Sequence, residues 1–306
     1  MKFDFGEVLG QMWKIGWNHK VLWLWQMLPG LISALLLPVM LVVNPAFATF
    51  LPEPWNQYAN ETWVAVAFVA VTFMFMIPIM FISIIAQLTT TYGAMKVEKG
   101  AEKIAFRELF SESLPYFWRV LGLYAIFGGT WMVLWLAFMA VNAFASIITF
   151  GLASLCLMPL FLLLIPIMIV GYSVLELAQA AIVADDMRTM DAIAHGWNLF
   201  RANWLGVVLL MVILYFALTM LSSVFIFPMM FPMMLFPMAM ESQGNFNNLM
   251  LVFFFVLFSI IFLVMYVVQG ILMAFFQTAW AVAYMRLSNN ANAPIILEEK
   301  SQEAGI

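Results

Sequence analysis

The chain has 306 residues, of which 66% are hydrophobic and 9% charged, with a formal net charge of −4 and a mean hydropathy of +1.02. Soluble globular proteins carry roughly 45–50% apolar and about 25% charged residues. The composition therefore excludes a soluble enzyme, a disordered protein and a nucleic-acid binder. It predicts an all-α integral membrane protein.

The first clue to the number of membrane spans is the distribution of charge-free sequence. Five stretches contain no Asp, Glu, Lys or Arg: 21–52, 62–95, 120–175, 202–240 and 242–285. A helix needs about 20 residues to cross the hydrocarbon core. The third stretch is long enough to fold back, and we expect the turn between Asn142 and Gly151. The last stretch fits one long helix, or two short helices that break at Gly270.

The basic residues decide between six and seven spans. With six spans all twelve fall on one side of the membrane; they are Lys2, Lys14, Lys20, Lys96, Lys99, Lys103, Arg107, Arg119, Arg188, Arg201, Arg286 and Lys300. A seventh span would place the last two outside. Basic loop residues are retained on the cytoplasmic side. The sequence therefore predicts six transmembrane helices in the cell (cytoplasmic) membrane, with both termini cytoplasmic.

A pattern recurs at the predicted inner ends of spans two, four and six. Each end has a glutamine followed, nine residues later, by a basic residue, and the pairs are Gln87 with Lys96, Gln179 with Arg188, and Gln277 with Arg286. The spacing predicts three tandem hairpin repeats, at about 1–98, 99–190 and 191–290. Together they form a single membrane domain, 1–290, followed by a short cytoplasmic tail, 291–306.

Each predicted hairpin is preceded by a short amphipathic segment. In the first, Asp4, Glu7, Gln11, Lys14 and Asn18 fall on one face of a helix, and bulky apolar residues occupy the other. Residues 191–202 align with this segment directly, and residues 106–118 align after a shift of about one residue. The pattern predicts helices that lie in the inner membrane interface. A cytoplasmic helix packed on its neighbours would show the same periodicity.

Aromatic and basic residues beside the spans are predicted to anchor the protein at the membrane interface. These residues are Trp13, Trp17, Lys96, Trp118, Arg188, Trp197, Arg201 and Arg286. Tryptophan is enriched at the level of the lipid headgroups, and basic residues are enriched on the cytoplasmic side.

Polar side chains within the spans form a candidate intramembrane site. They are Gln87, Glu176, Gln179 and Gln277. We favour hydrogen bonds between helices, worth about 0.6 kcal/mol each, over a shared functional site where the repeats converge. A charged acid at the depth of Glu176 costs about 2.5–3.5 kcal/mol, so we expect it to be protonated or paired. Either a structural donor or a proton or substrate site would fit.

The stretch from Pro228 to Met240 is predicted to be an outer loop. It contains six methionines, and thioethers are ligands that suit Cu(I). The whole chain has 26 methionines, however, and the loop lacks polar residues. We therefore favour a proline-broken apolar cap over copper binding by Met229–Met240, and we predict no cofactor and no metal site.

The segment from Ala181 to Trp204, AIVADDMRTMDAIAHGWNLFRANW, is similar to a signature of bacterial and archaeal multi-pass membrane proteins. That loose group contains uncharacterised proteins and the membrane domain found alongside some glycerophosphoryl diester phosphodiesterases. The resemblance implies a helical membrane module. It does not imply phosphodiesterase activity, because the metal-binding acidic and histidine residues of that catalytic domain have no counterpart here.

The sequence contains no Ser-His-Asp arrangement, HExxH motif, phosphate-binding glycine loop or paired-acid motif. We therefore predict a protein that is not an enzyme and that organises membrane lipids or partner membrane proteins, including further copies of itself, without binding nucleic acid. Two alternatives stay open. One is a transporter or channel for a small or apolar solute, and the other is a membrane subunit of an enzyme complex.

Overall fold

The computed structural model describes residues 4–43, 57, 61–152, 160–241 and 248–303, and the side chains of residues 4–36, 57, 61–152, 164–225 and 256–288. Regular structure in these residues is entirely helical. The described α-helices, in chain order, are α1 (Phe5–Asn18), α2 (Val21–Val43), α3 (Thr62–Glu98), α4 (Phe106–Ser113), α5 (Phe117–Ile148), α6 (Leu160–Asp185), α7 (Thr189–Ala202), α8 (Trp204–Glu241) and α9 (Asn248–Glu303). A 3₁₀ turn, Leu114–Tyr116, joins α4 to α5.

Five helical segments with described side chains are long and apolar enough to cross a membrane. They are Thr62–Glu98, Phe106–Ile148, Leu164–Asp185, Trp204–Phe225 and Val256–Ser288. The segment Val21–Leu36 of α2 is apolar but shorter. The predicted all-helical membrane class is confirmed by these segments, whereas the sixth span and the three repeats stay predictions.

The ends of the helices agree with part of the predicted turn pattern. Helix α5 ends at Ile148, inside the range predicted for the fold-back, and Phe150 and Gly151 follow with φ angles of 50° and 90°. Such left-handed angles cannot continue a right-handed helix. Helix α9 runs through Gly270 without a break, so this stretch contains one long helix.

The prediction of an outer loop between Pro228 and Met240 is wrong. Helix α8 continues through this stretch and ends at Glu241. Apolar surroundings offer no water to an open backbone, so a helix can persist through prolines when local adjustments satisfy the freed groups. The side chains of Met229–Met240 lie outside the described residues, and copper binding there stays untested.

The chain divides into two compact units. Unit 1 comprises Met1–His19, Thr91–Tyr215 and Phe276–Ile306, and unit 2 comprises Lys20–Thr90 and Phe216–Phe275. The C-terminal half of α6 forms the core of unit 1, because every residue from 173 to 183 is buried. Helix α7 packs back onto it at Gly196, where a Cβ atom would lie 3.0 Å from the backbone nitrogen of Ala178.

Unit 2 contains a second close approach, between α2 and α9. A Cβ atom at Gly270 would lie 2.8 Å from the Cα atom of Met27, and one at Gly30 would lie 2.9 Å from the Cβ atom of Tyr266. The two helices therefore run antiparallel with their backbones almost in contact. Small residues drive such packing in membranes, where association depends on van der Waals contact.

Gly270→Ala should destabilise the protein, because the new methyl group would overlap the Met27 backbone. Overpacking of this kind typically costs about 1–3 kcal/mol. The thermal unfolding midpoint of the purified protein in detergent should fall accordingly. Gly171→Ala is the matched control, since no atom lies within 4 Å of a Cβ at that helical glycine. Equal midpoints for the two variants would contradict the proposed backbone contact.

Candidate functional site

A chain of buried hydrogen bonds joins four helices of unit 1. The hydroxyl of Tyr124 on α5 donates to Oε1 of Gln179 on α6, over 2.7 Å. Nε2 of Gln179 donates to Oγ1 of Thr91 on α3, over 2.9 Å. The Thr91 hydroxyl donates to Oε1 of Gln277 on α9, over 3.2 Å. Finally, Nε2 of Gln277 donates to Oε1 of Glu176 on α6, over 3.3 Å.

This chain, which we call the polar network, has a single direction. Each side chain donates a hydrogen bond to the next, from Tyr124 at one end to the Glu176 carboxyl group at the other. Thr91, Glu176, Gln179 and Gln277 are each at most 6% exposed. A buried polar group without a partner would cost about 1–3 kcal/mol. The network therefore fixes which faces of α3, α6 and α9 meet.

Three of the four predicted intramembrane residues belong to the network. Glu176, Gln179 and Gln277 lie together, whereas Gln87 is half-buried in unit 2. Thr91, one turn after Gln87 on the same helix face, supplies the contribution of α3. Sequence reasoning missed Thr91 and Tyr124, since neither is an amide or an acid. The four-residue step from Gln87 to Thr91 was the available signal.

Ion pairs connect the basic ends of the helices to carboxylates of unit 1. Nζ of Lys96 lies 2.6 Å from Glu108 and 2.6 Å from Glu112, both on α4. Nη2 of Arg286 lies 2.7 Å from Glu98, at the end of α3, and 3.0 Å from Glu7 on α1. Two of the predicted interface anchors are therefore bound to acidic groups of the protein itself.

A fifth ion pair lies at the turn between α6 and α7. Nη1 of Arg119 lies 2.7 Å from the Asp186 carboxylate and also donates to the Asp186 carbonyl, over 2.9 Å. Asp186 has a φ angle of 53°, a left-handed conformation that is uncommon outside glycine. The neighbouring Asp185 accepts a short hydrogen bond from the Tyr284 hydroxyl. The paired aspartates of the signature segment thus have separate structural partners.

The remaining predicted anchors lie at the surface. Trp13, Trp17, Trp118 and Trp197 are 56%, 45%, 74% and 43% exposed, respectively. Arg188 directly precedes α7 and Arg201 lies in its last turn, and both are exposed. Trp13 and Trp17 lie on α1 and Trp197 lies on α7, two of the three predicted amphipathic helices, whereas Trp118 lies in the first turn of α5, five residues after α4.

A polar cavity of about 230 Å³ lies in unit 1 between α1 and the end of α3. Its lining residues are Gln11, Lys14, Ile15, Asn18, His19, Val97 and Glu98. Burial lowers the pKa of the His19 imidazole. Within the part of the chain whose side chains are described, no group of three His, Cys, Asp or Glu residues could hold a metal ion.

The helices and the polar network define a helical membrane protein whose core contains connected polar side chains. The chain belongs to the family described as "Domain of unknown function (DUF7847)", whose model matches residues 27–287. No curated protein and no solved structure matches the chain. The family match covers every helix that contributes to the polar network, and α1 lies outside it.

Thr91→Val should destabilise the protein, because it removes one donor and one acceptor from the middle of the polar network. Hydrogen bonds between membrane helices average about 0.6 kcal/mol, so two lost bonds and two unpaired amide groups should cost about 1–3 kcal/mol. Chemical unfolding in mixed detergent micelles would measure this change.

Thr72→Val is the control for Thr91→Val. Its hydroxyl donates to the carbonyl oxygen of Phe68 within the same helix, over 2.7 Å. The same atoms are replaced, but that carbonyl keeps its backbone partner. A stability loss at Thr72 as large as that at Thr91 would show that the network adds nothing specific.

Proposed function

We propose that this protein is a non-catalytic, six-span protein of the cytoplasmic membrane, which organises inner-leaflet lipids or partner membrane proteins. The observation that carries the proposal is the position of the exposed tryptophans. Trp13 and Trp17 are exposed on α1, Trp197 is exposed on α7, and Trp118 is exposed at the start of α5. The three short helices α1, α4 and α7 each bury other residues in unit 1. Tryptophan prefers the headgroup level of a membrane, so these faces suit contact with lipid.

The distribution of basic residues supports six spans with both termini in the cytoplasm. Among all lysines and arginines, only Lys20 belongs to unit 2, where it is the first residue. Helix α2 has 23 residues and is sufficient to cross about 30 Å of hydrocarbon. With α2 as the first crossing, the five segments named under the fold complete the six.

The ion pairs support the proposed tandem repeats. Lys96 ends the first proposed repeat and pairs with α4, the amphipathic helix of the second. Arg286 ends the third and pairs with Glu7 on α1, the amphipathic helix of the first. Arg188 departs from this pattern, because among the described residues it makes no ion pair. We also propose kinship with the membrane-domain group found beside some glycerophosphoryl diester phosphodiesterases, on the Ala181–Trp204 signature alone.

Removing the exposed tryptophans should reduce the lipid that the protein retains. We expect the variant Trp13→Ala/Trp118→Ala/Trp197→Ala to co-purify with fewer phospholipids per chain than the native protein, by phosphorus assay after gentle detergent extraction. The control variant Val133→Ala/Phe144→Ala/Met220→Ala also truncates three exposed apolar side chains, but within the spans. Equal lipid loss in the two variants would overturn the role of the interfacial helices.

The polar network favours a second candidate function, the transport of protons or a small cation. An oriented row of hydrogen bonds that ends at an intramembrane acid is the arrangement expected of a proton or ion site. On this hypothesis the Glu176 carboxyl group would bind the transported ion.

Glu176→Gln distinguishes transport from a structural role, because the amide keeps an acceptor for Gln277 while it removes the acid. Proteoliposomes with a trapped pH-sensitive dye would report proton flux under a membrane potential. A transporter should lose its flux in Glu176→Gln and keep it in Glu102→Gln, which changes an exposed acid. No flux in the native protein, with normal stability of Glu176→Gln, would support the structural role.

A further inference from the structure

We propose that the cavity between α1 and the end of α3 binds the phosphate-bearing headgroup of an inner-leaflet phospholipid. This inference rests on the proposed contact of the protein with lipids and gives that contact a specific site. The cavity is the place where charged and amide side chains of α1 face another helix across open space.

The positive charge of Lys14 in the cavity wall favours an anionic ligand. Among the described residues, no carboxylate lies within 4 Å of its ammonium group, although it lines the cavity. Lys96, next to Val97, and Arg286, the partner of Glu98, are already paired with acids. Lys20 and Lys99 adjoin lining residues in sequence but do not line the cavity. Ammonium groups bind phosphate as compact positive charges. Lys14 is therefore available for a phosphate oxygen.

The acid in the cavity wall does not prevent phosphate binding. Glu98 is paired with Arg286 over 2.7 Å, and Arg286 is shared with Glu7 at 3.0 Å, so the charge of Glu98 is partly neutralised. Glu98 also lines the cavity, and its carboxylate would accept hydrogen bonds from an ammonium group of the headgroup. A ligand that carries both a phosphate and an ammonium group would therefore contact Lys14 and Glu98 together, and phosphoethanolamine is such a headgroup.

The remaining lining residues supply neutral hydrogen bonds. Gln11 and Asn18 lie on the same face of α1 as Lys14 and present amide donors. Burial lowers the pKa of the His19 imidazole, which favours the neutral ring, and a neutral ring contributes one donor without charge. The volume of about 230 Å³ is below the roughly 300–1,000 Å³ of most small-molecule sites. It suits a headgroup rather than a whole lipid.

The position of the cavity agrees with a headgroup ligand. On α1 the exposed Trp13 and Trp17 lie on the face next to the polar stripe. The centroids of their rings lie 5.5 Å apart. Interfacial tryptophans lie at the depth of the headgroups. A lipid whose chains pass these rings would bring its phosphate to the level of Lys14.

The test compares Lys14→Gln with Lys20→Gln, which removes an equal charge six residues away and outside the cavity lining. Native mass spectrometry of the full-length protein would measure the binding of added phosphatidylethanolamine, phosphatidylglycerol and diacylglycerol. We expect Lys14→Gln to bind phosphatidylethanolamine roughly tenfold or more weakly, as for a lost hydrogen bond to a charged group. Lys20→Gln should bind phosphatidylethanolamine as tightly as the native protein does, and Lys14→Arg should retain binding. Diacylglycerol, which has no phosphate, should bind weakly, and its binding should not depend on Lys14.

Competition with inorganic phosphate distinguishes the two possible sources of the bound phosphate group, a lipid headgroup and free phosphate. Millimolar phosphate that displaces the lipid, and stabilises the protein only when Lys14 is present, would overturn the lipid source and assign a soluble phosphate to the site. Equal weakening by Lys14→Gln and Lys20→Gln, or no weakening by either, would overturn the site itself. The tryptophan variants report on lipid contact independently, so failure of the cavity and failure of the proposed function give different results.

Discussion

Hydrogen-bonding side chains in an apolar helix bundle have no water to bind, so their positions are decided by the partners that other helices offer. The hydroxyl of Thr91 is the clearest example, because it accepts from Gln179 and donates to Gln277. A hydroxyl can do both at once, whereas a second glutamine at this point would have to fit a longer side chain between two amides. One small residue therefore connects α3, α6 and α9 through its hydroxyl group.

The sequence predicted the helical membrane class, the α5 turn and three members of the polar network, because charge, hydropathy and the period of glutamines are local signals. It failed at Pro228–Met240, where prolines were taken to end a helix that in fact continues to Glu241. Turn propensities measured in water predict helix ends poorly where no water is present to bind backbone N–H and C=O groups that leave the helix. Tyr124 and Tyr284 were missed because their partners lie 55 and 99 residues away, and no local pattern encodes such distances. Thr91 was missed although the four-residue step from Gln87 places it on the same helix face.

The amphipathic helix α1 shows why its periodicity allowed two interpretations. Val8 and Ile15 are buried in unit 1, so the helix packs on protein, as one interpretation required. Trp13 and Trp17 are exposed on another face, as the other required. The polar stripe between them forms part of a cavity wall through Lys14. A helix with three different faces still gives a two-sided pattern in sequence, because hydropathy does not distinguish a protein neighbour from a lipid.

The shared ion pair of Arg286 with Glu7 and Glu98 has a consequence for biosynthesis. Ribosomes add about 5–20 residues per second, so Glu98 precedes its cation by roughly 10–40 s, and Glu7 waits longer still. During that interval the amino-terminal helix lacks the contact that later secures it. Chaperones or the insertion machinery would therefore meet α1 before it is held as firmly as in the finished protein. Unit 1 therefore lacks the contacts of Arg286 with α1 and α3 until α9 has been synthesised.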